Sequence, residues 1–120
     1  MPEQMKNFWD STGRHWKTGA LYQKPAGFFF STSSQGGGQE STAWTSITQL
    51  SHHGMIFVPV GYNFGPELFD VNEIRGGSPY GAGTYSGDGN RLPTDLELRI
   101  AKHQGEYMAK FVKRIKKESV

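Results

Sequence analysis

Two short apolar runs, residues 26–31 (AGFFFS) and 55–60 (MIFVPV), bracket a stretch of helical periodicity. That order narrows the fold more than any other feature. Continuous apolar runs of this length suit parallel strands covered on both faces. Between them, residues 39–53 carry Ala43, Ile47 and Leu50 on one face, and Gly54 stands where a helix C-terminus is capped. Strand, helix, strand in this spacing predicts a right-handed βαβ crossover. Pro59 has no N–H to give to a ladder, so regular pairing is expected to end there. Two strands alone would both be edges. Either the rest of the chain supplies more strands, or part of the sheet is missing from it.

Residues 2–13 (PEQMKNFWDSTG) read as a short helix with Met5, Phe8 and Trp9 on one face and Gly13 as its stop. Residues 13–23 (GRHWKTGALYQ) read as loop. Residues 61–90 are long, Gly-rich and irregular, as functional or assembly segments often are. A final helix is announced by Pro93 and the capping box Thr94-x-x-Glu97. Leu98, Ala101, Gly105, Met108, Val112 and Ile115 then predict one buried stripe.

At 120 residues the chain has room for one core. A net charge of +2 is too small to imply nucleic acid or an anionic membrane as partner, and the basic end KFVKRIKKE reads as a solvated helix terminus. The lack of cysteine excludes disulfides, thiol catalysis and thiolate metal sites. The longest apolar run is too short to span a bilayer, and no secretory signal is evident, so a cytoplasmic location is expected.

In open α/β sheets, ligands bind at the carboxyl ends of strands, which is where residues 31–40 (STSSQGGGQE) fall. Hydroxyls, glycines and a helix start favour electron-rich ligand atoms. The stretch is neither a Gly-Lys-Ser/Thr phosphate loop nor the G-x-G-x-x-G fingerprint. Ligand loop and surface turn therefore both remain open. Adjacent His52 and His53 point different ways on a helix and do not suit a shared metal. They fit either a helix-end cation beside a packed ring, or one imidazole facing a ligand. Trp16 is a stacking surface or a packed ring. The turn around Asp88 lacks the other ligands of a calcium loop.

QMKNFWDSTG, FFFSTSSQGGGQE, HHGMIFVP, RGGSPYGAGTYSGDGNRLPT and HQGEYMAKF, in this order and spacing, resemble the C-terminal part of the WrbA-type, FMN-dependent NAD(P)H:quinone oxidoreductases. The resemblance runs along essentially the whole chain. It implies a flavodoxin-like three-layer α/β fold with a parallel sheet, here about two core strands, three helices and the long Gly-rich region. Residues 1–120 would form the C-terminal part of one such domain, with the N-terminal strands and phosphate-binding loop absent. It also implies FMN as cofactor, contacted by Ser31, Thr32, Ser33, Ser34, Gln35, Gly36 and His52. Trp16 would border the face where nicotinamide or quinone stacks. NAD(P)H and quinone are the implied substrates, with two-electron transfer carried by the flavin and no catalytic side chain. Relatives form homo-tetramers with the site near subunit boundaries. Ser33 departs from the family's usual glycine; at a positive φ it would cost about 1 kcal/mol. The alternative implied by a partial chain is a non-catalytic homologue that binds flavin weakly or joins subunits. A loop without lysine fits generic phosphate binding poorly.

Overall fold

The computed structural model describes residues 1–118. Its centre is one extended run, β1 (Pro25–Ala26) and β2 (Phe28–Thr32), broken only at Gly27. β3 (Ile56–Phe57) pairs parallel to β1 with Pro25 opposite Ile56, and β4 (Gly81–Tyr85) pairs parallel to β2 with Phe28 opposite Gly81. The N–H groups of Ile56 and Val58 reach the carbonyls of Lys24 and Ala26 at 3.0 and 2.8 Å, and that of Ser86 reaches Thr32 at 2.8 Å. Backbone groups two residues apart in a strand point the same way. β3 and β4 therefore share one edge of the central run, as two halves of an interrupted neighbour. The opposite edge is unpaired among the described residues.

The crossover from β1–β2 to β3 runs through α3 (Gln39–His52), which buries Ala43, Ser46 and Leu50, and the predicted strand–helix–strand unit is present. Gly54 takes a φ of +66°, and its carbonyl accepts from Gln23 at 2.8 Å. The second strand is shorter than residues 55–60 suggested. Val58 N–H makes the last ladder bond and pairing ends at Pro59, although Val58 and Val60 remain buried. The irregular region supplies β4 and a 3-10 turn at Pro66–Phe69.

A side chain completes the β2–β4 ladder. Ala82 N–H, which the register would direct to the Phe28 carbonyl, donates instead to Gln104 Oε1 at 2.7 Å, while Gln104 Nε2 donates to that carbonyl at 2.7 Å. Gln104 belongs to α4 (Asp95–Glu118), which opens on the predicted capping box. Thr94 N–H donates to Glu97 Oε1 at 2.8 Å and Glu97 N–H to Thr94 Oγ1 at 3.2 Å. Leu68, Ala82, Leu96 and Ile100 form a small core cluster, with Phe64 against it.

Three sequence expectations change. Gly13 does not end the first helix: α1 (Glu3–Asp10) is already closed by Ser11, and Gly13 opens α2 (Gly13–Thr18) within the segment read as loop. Ser33 has no positive φ, so serine in place of glycine brings no backbone strain there. The stripe on α4 is not buried: Leu98 is 57% exposed, Ala101 and Gly105 are exposed, and Met108, Val112 and Ile115 are half-buried. Several of these residues and Phe29, 84% exposed, wall an apolar groove of about 520 Å³. The groove runs beside the central strand, where nothing in the described chain covers it. Among the described residues no helix is long and apolar enough to cross a membrane.

Candidate functional site

The loop after β2 lies at the carboxyl end of the parallel pair, where strand polarity and the start of α3 direct N–H groups outward. Ser31, Ser33, Ser34, Gln35 and Gly36 are exposed and Thr32 is half-buried. Gly37 N–H closes a tight turn on the Ser34 carbonyl at 3.0 Å. The N–H groups of Ser34, Gln35 and Gly36 have no acceptor among the described residues. A Cβ at Gly36 would meet nothing within 4 Å, whereas one at Gly37 would lie 2.8 Å from Thr32 Cβ. Gly37 thus lets the turn close, and Gly36 leaves the outer surface of the loop bare.

A second loop forms the other wall. Gly87 N–H donates to the Ser33 carbonyl at 3.0 Å, and Ser33 Oγ returns a bond to the Gly87 carbonyl at 2.9 Å. Gly87 and Gly89 take positive φ of 56° and 91°. The turn around Asp88 is therefore a structural clasp on the candidate loop. Sequence reasoning missed Gly87 because its partner lies 54 residues away. The two glycines flanking Asp88 were the available signal.

Glu97 and Arg91 brace this second wall from beneath. Glu97 has a side chain 1% exposed and accepts from Gly76 N–H at 2.7 Å, Thr84 Oγ1 at 3.1 Å and Arg91 at 3.1 Å. Arg91 also donates to the Tyr85 carbonyl at 2.7 Å. Burial raises the pKa of Glu97, but the N–H donors of Thr94 and Gly76, the Thr84 hydroxyl and the Arg91 charge outweigh it, so the carboxyl titrates below its ordinary value.

His52 and Trp16 lie elsewhere. Both line a separate cavity of about 210 Å³ between α1, α2 and the C-terminal end of α3. Trp16 is 53% exposed and sits on α2 rather than in a loop. His52 is exposed, while His53 is 5% exposed and packs against Trp9. Thr12 Oγ1 donates to the Trp9 carbonyl at 2.6 Å and so accepts from His53 Nε2–H at 2.8 Å. The loop precedes the first residue of α3 and His52 is its last. A helix of 14 residues is about 20 Å long. Within one chain, the loop on one side and His52 with Trp16 on the other are separate groups. Among the described residues no three His, Asp or Glu side chains converge as a metal site.

An open parallel α/β unit with a donor-bearing loop at its strand ends is a partial flavodoxin-like fold. No family model matches the chain. It is 64% identical over 115 residues to the probable NAD(P)H dehydrogenase (quinone) FQR1-like 2 of Arabidopsis thaliana, covering 96% of this chain and 42% of that protein. It is 62% identical over 120 residues to quinone-oxidoreductase QR2 of Triphysaria versicolor, covering 99% and 58%. Identity to NAD(P)H quinone oxidoreductase PST2 of Candida albicans is 50% over 117 residues, covering 97% and 58%. The chain belongs to the family of these quinone oxidoreductases, and it spans about half the length of the curated relatives it matches.

Proposed function

We propose that this chain supplies one wall of the flavin site of an FMN-dependent NAD(P)H:quinone oxidoreductase. The observation that carries the reading is the row of unpartnered N–H groups at Ser34, Gln35 and Gly36, at the carboxyl end of β2 in a chain with quinone oxidoreductase relatives. The donors suit the oxygen and nitrogen acceptors on the edge of a flavin ring, and the bare surface at Gly36 leaves room for a flat ring. Thr32 and Ser33 hold the loop in place, and Ser31 is the exposed β2 residue that leads into it. When bound, the flavin supplies two-electron hydride chemistry between NAD(P)H and quinone.

His52 and Trp16 complete the site from a neighbouring copy, because the length of α3 separates them from the loop of their own chain. The working assembly on this reading is a cytoplasmic homo-oligomer, a tetramer as the resemblance implies. Residues 1–120 act as the C-terminal part of one flavodoxin-like domain. The loop from Ser31 to Gly38 contains no lysine or arginine, so its affinity is for the ring and not for the phosphate.

Titration of the 120-residue chain with FMN and with riboflavin, followed by flavin fluorescence, tests this reading. Both ligands are expected to be quenched, with dissociation constants within about threefold, since a single charged phosphate contact would favour FMN by tenfold or more. No quenching by either ligand would remove the flavin-ring reading. A large preference for FMN would place the phosphate on this chain.

A further inference from the structure

The loop proposed to face the flavin is wired to a distant turn through one buried carboxamide. Gln39, the first residue of α3, is 6% exposed. Its Oε1 accepts from Gly77 N–H at 2.7 Å, and its Nε2 donates to the Thr84 carbonyl at 2.8 Å and to Thr32 Oγ1 at 3.1 Å. The Thr32 hydroxyl passes its own proton to the Ser34 carbonyl at 2.9 Å, the same carbonyl that closes the turn with Gly37 N–H. A continuous hydrogen-bond chain thus runs from Gly77, inside the segment between β3 and β4, to the centre of the candidate loop.

The glycines around Gln39 are there to admit it. A Cβ at Gly83 would lie 2.7 Å from Gln39 Oε1 and 2.7 Å from Gly77 N, and a Cβ at Gly76 would lie 2.6 Å from Thr84 N. The backbone of the Gly76–Gly77 turn is pressed directly onto β4, and Gln39 fills a polar gap where turn, strand and loop meet. Removing its donor takes a buried hydrogen bond from the Thr84 carbonyl and frees the Thr32 hydroxyl from its fixed orientation.

We propose that Gln39 is the positioning residue of the candidate flavin loop, setting the conformation of residues 32–37 through Thr32 and making it depend on the Gly76–Gly77 turn. The inference rests on the flavin reading only for its functional consequence; the wiring itself is a property of the fold.

Gln104 provides an internal control, because it also bridges β2 and β4, in its case through one accepted and one donated bond, and at the end remote from the loop. In the full chain, Gln39→Glu and Gln104→Glu each keep the acceptor and lose the donor. Amide hydrogen exchange and melting temperature are measured for both, together with riboflavin titration. Both variants are expected to melt lower. Only Gln39→Glu is expected to lower protection of the Gly37 and Gly87 amides, by about tenfold, and to weaken riboflavin binding by a similar factor. Thr32→Val, which cuts the chain beyond Gln39 and leaves the other two Gln39 bonds in place, reproduces the exchange effect should Gln39→Glu not fold. Equal loosening of the loop in the Gln104 variant, or unchanged protection in both the Gln39 and Thr32 variants, overturns the proposal. If the unaltered chain binds neither flavin, the functional reading falls and the exchange comparison alone decides the positioning role.

Discussion

Glu97 ties together more distant pieces of chain than any other carboxylate described here. It joins the Gly76 turn, β4, Arg91 and the start of α4. Replacing it with leucine takes the acceptor from the buried Gly76 N–H and the half-buried Thr94 N–H, and the carboxylate partner from a half-buried guanidinium. The expected loss is about 3 kcal/mol, read from urea unfolding. Its pKa is depressed on folding, so the carboxylate contributes its full stability above the unfolded value of about 4.3 and loses it as pH falls through the folded value. Melting temperature is therefore expected to drop between pH 5 and pH 3, and to drop less in Glu97→Gln. An equal fall in both proteins would assign the acid sensitivity to other groups. The sequence revealed half of this arrangement. The Thr94–Glu97 box is local and has a spacing rule, whereas nothing near Gly76 or Thr84 marks them as partners of Glu97. The seven candidate loop and helix residues and Trp16 could likewise be named from motifs, but their division between two places required the direction of α3.

The elements were legible in proportion to their length. α3 and α4 carry several turns of periodic pattern, and both lie where that pattern puts them. α2 has six residues, fewer than two turns, so periodicity had nothing to work on. β4, with the sequence GAGTY, lacks the bulky β-branched character of a strand and is held instead by close backbone approach: a Cβ on Gly81 would collide with the Phe28 carbonyl. The stripe on α4 teaches a different lesson, since spacing identifies an apolar face without saying whether anything covers it. Ile100, 3% exposed, is expected to lose about 2–5 kcal/mol on substitution by alanine, whereas Met108→Ala should cost under about 1 kcal/mol. Comparable losses at both positions, in denaturant unfolding of the two variants, would show that the groove is filled in solution.

As a whole molecule, the described chain is a slab of 46 × 35 × 19 Å with a radius of gyration of 15.6 Å, above the roughly 13.6 Å of a compact domain of this length. Its thinness follows from the unpaired edge, and so does its expected behaviour. The segment from Pro25 to Thr32 is uncharged, β-prone and open on one side, and its own Phe29 is bare. The purified 120-residue chain is expected to self-associate in light scattering, and Phe29→Lys to raise the monomer fraction without lowering the melting temperature. A monodisperse monomer of the unaltered chain would refute this. The interrupted neighbour on the paired edge also dictates an order of events in time. Pairing Ile56 with Pro25 closes a much shorter stretch of chain than pairing Gly81 with Phe28. Once the first contact is made, the second needs to close only the excursion between β3 and β4, at a correspondingly smaller entropic cost. The near pair thereby becomes the doorway to the far one, and substitutions at Ile56 should slow folding where those in β4 hasten unfolding.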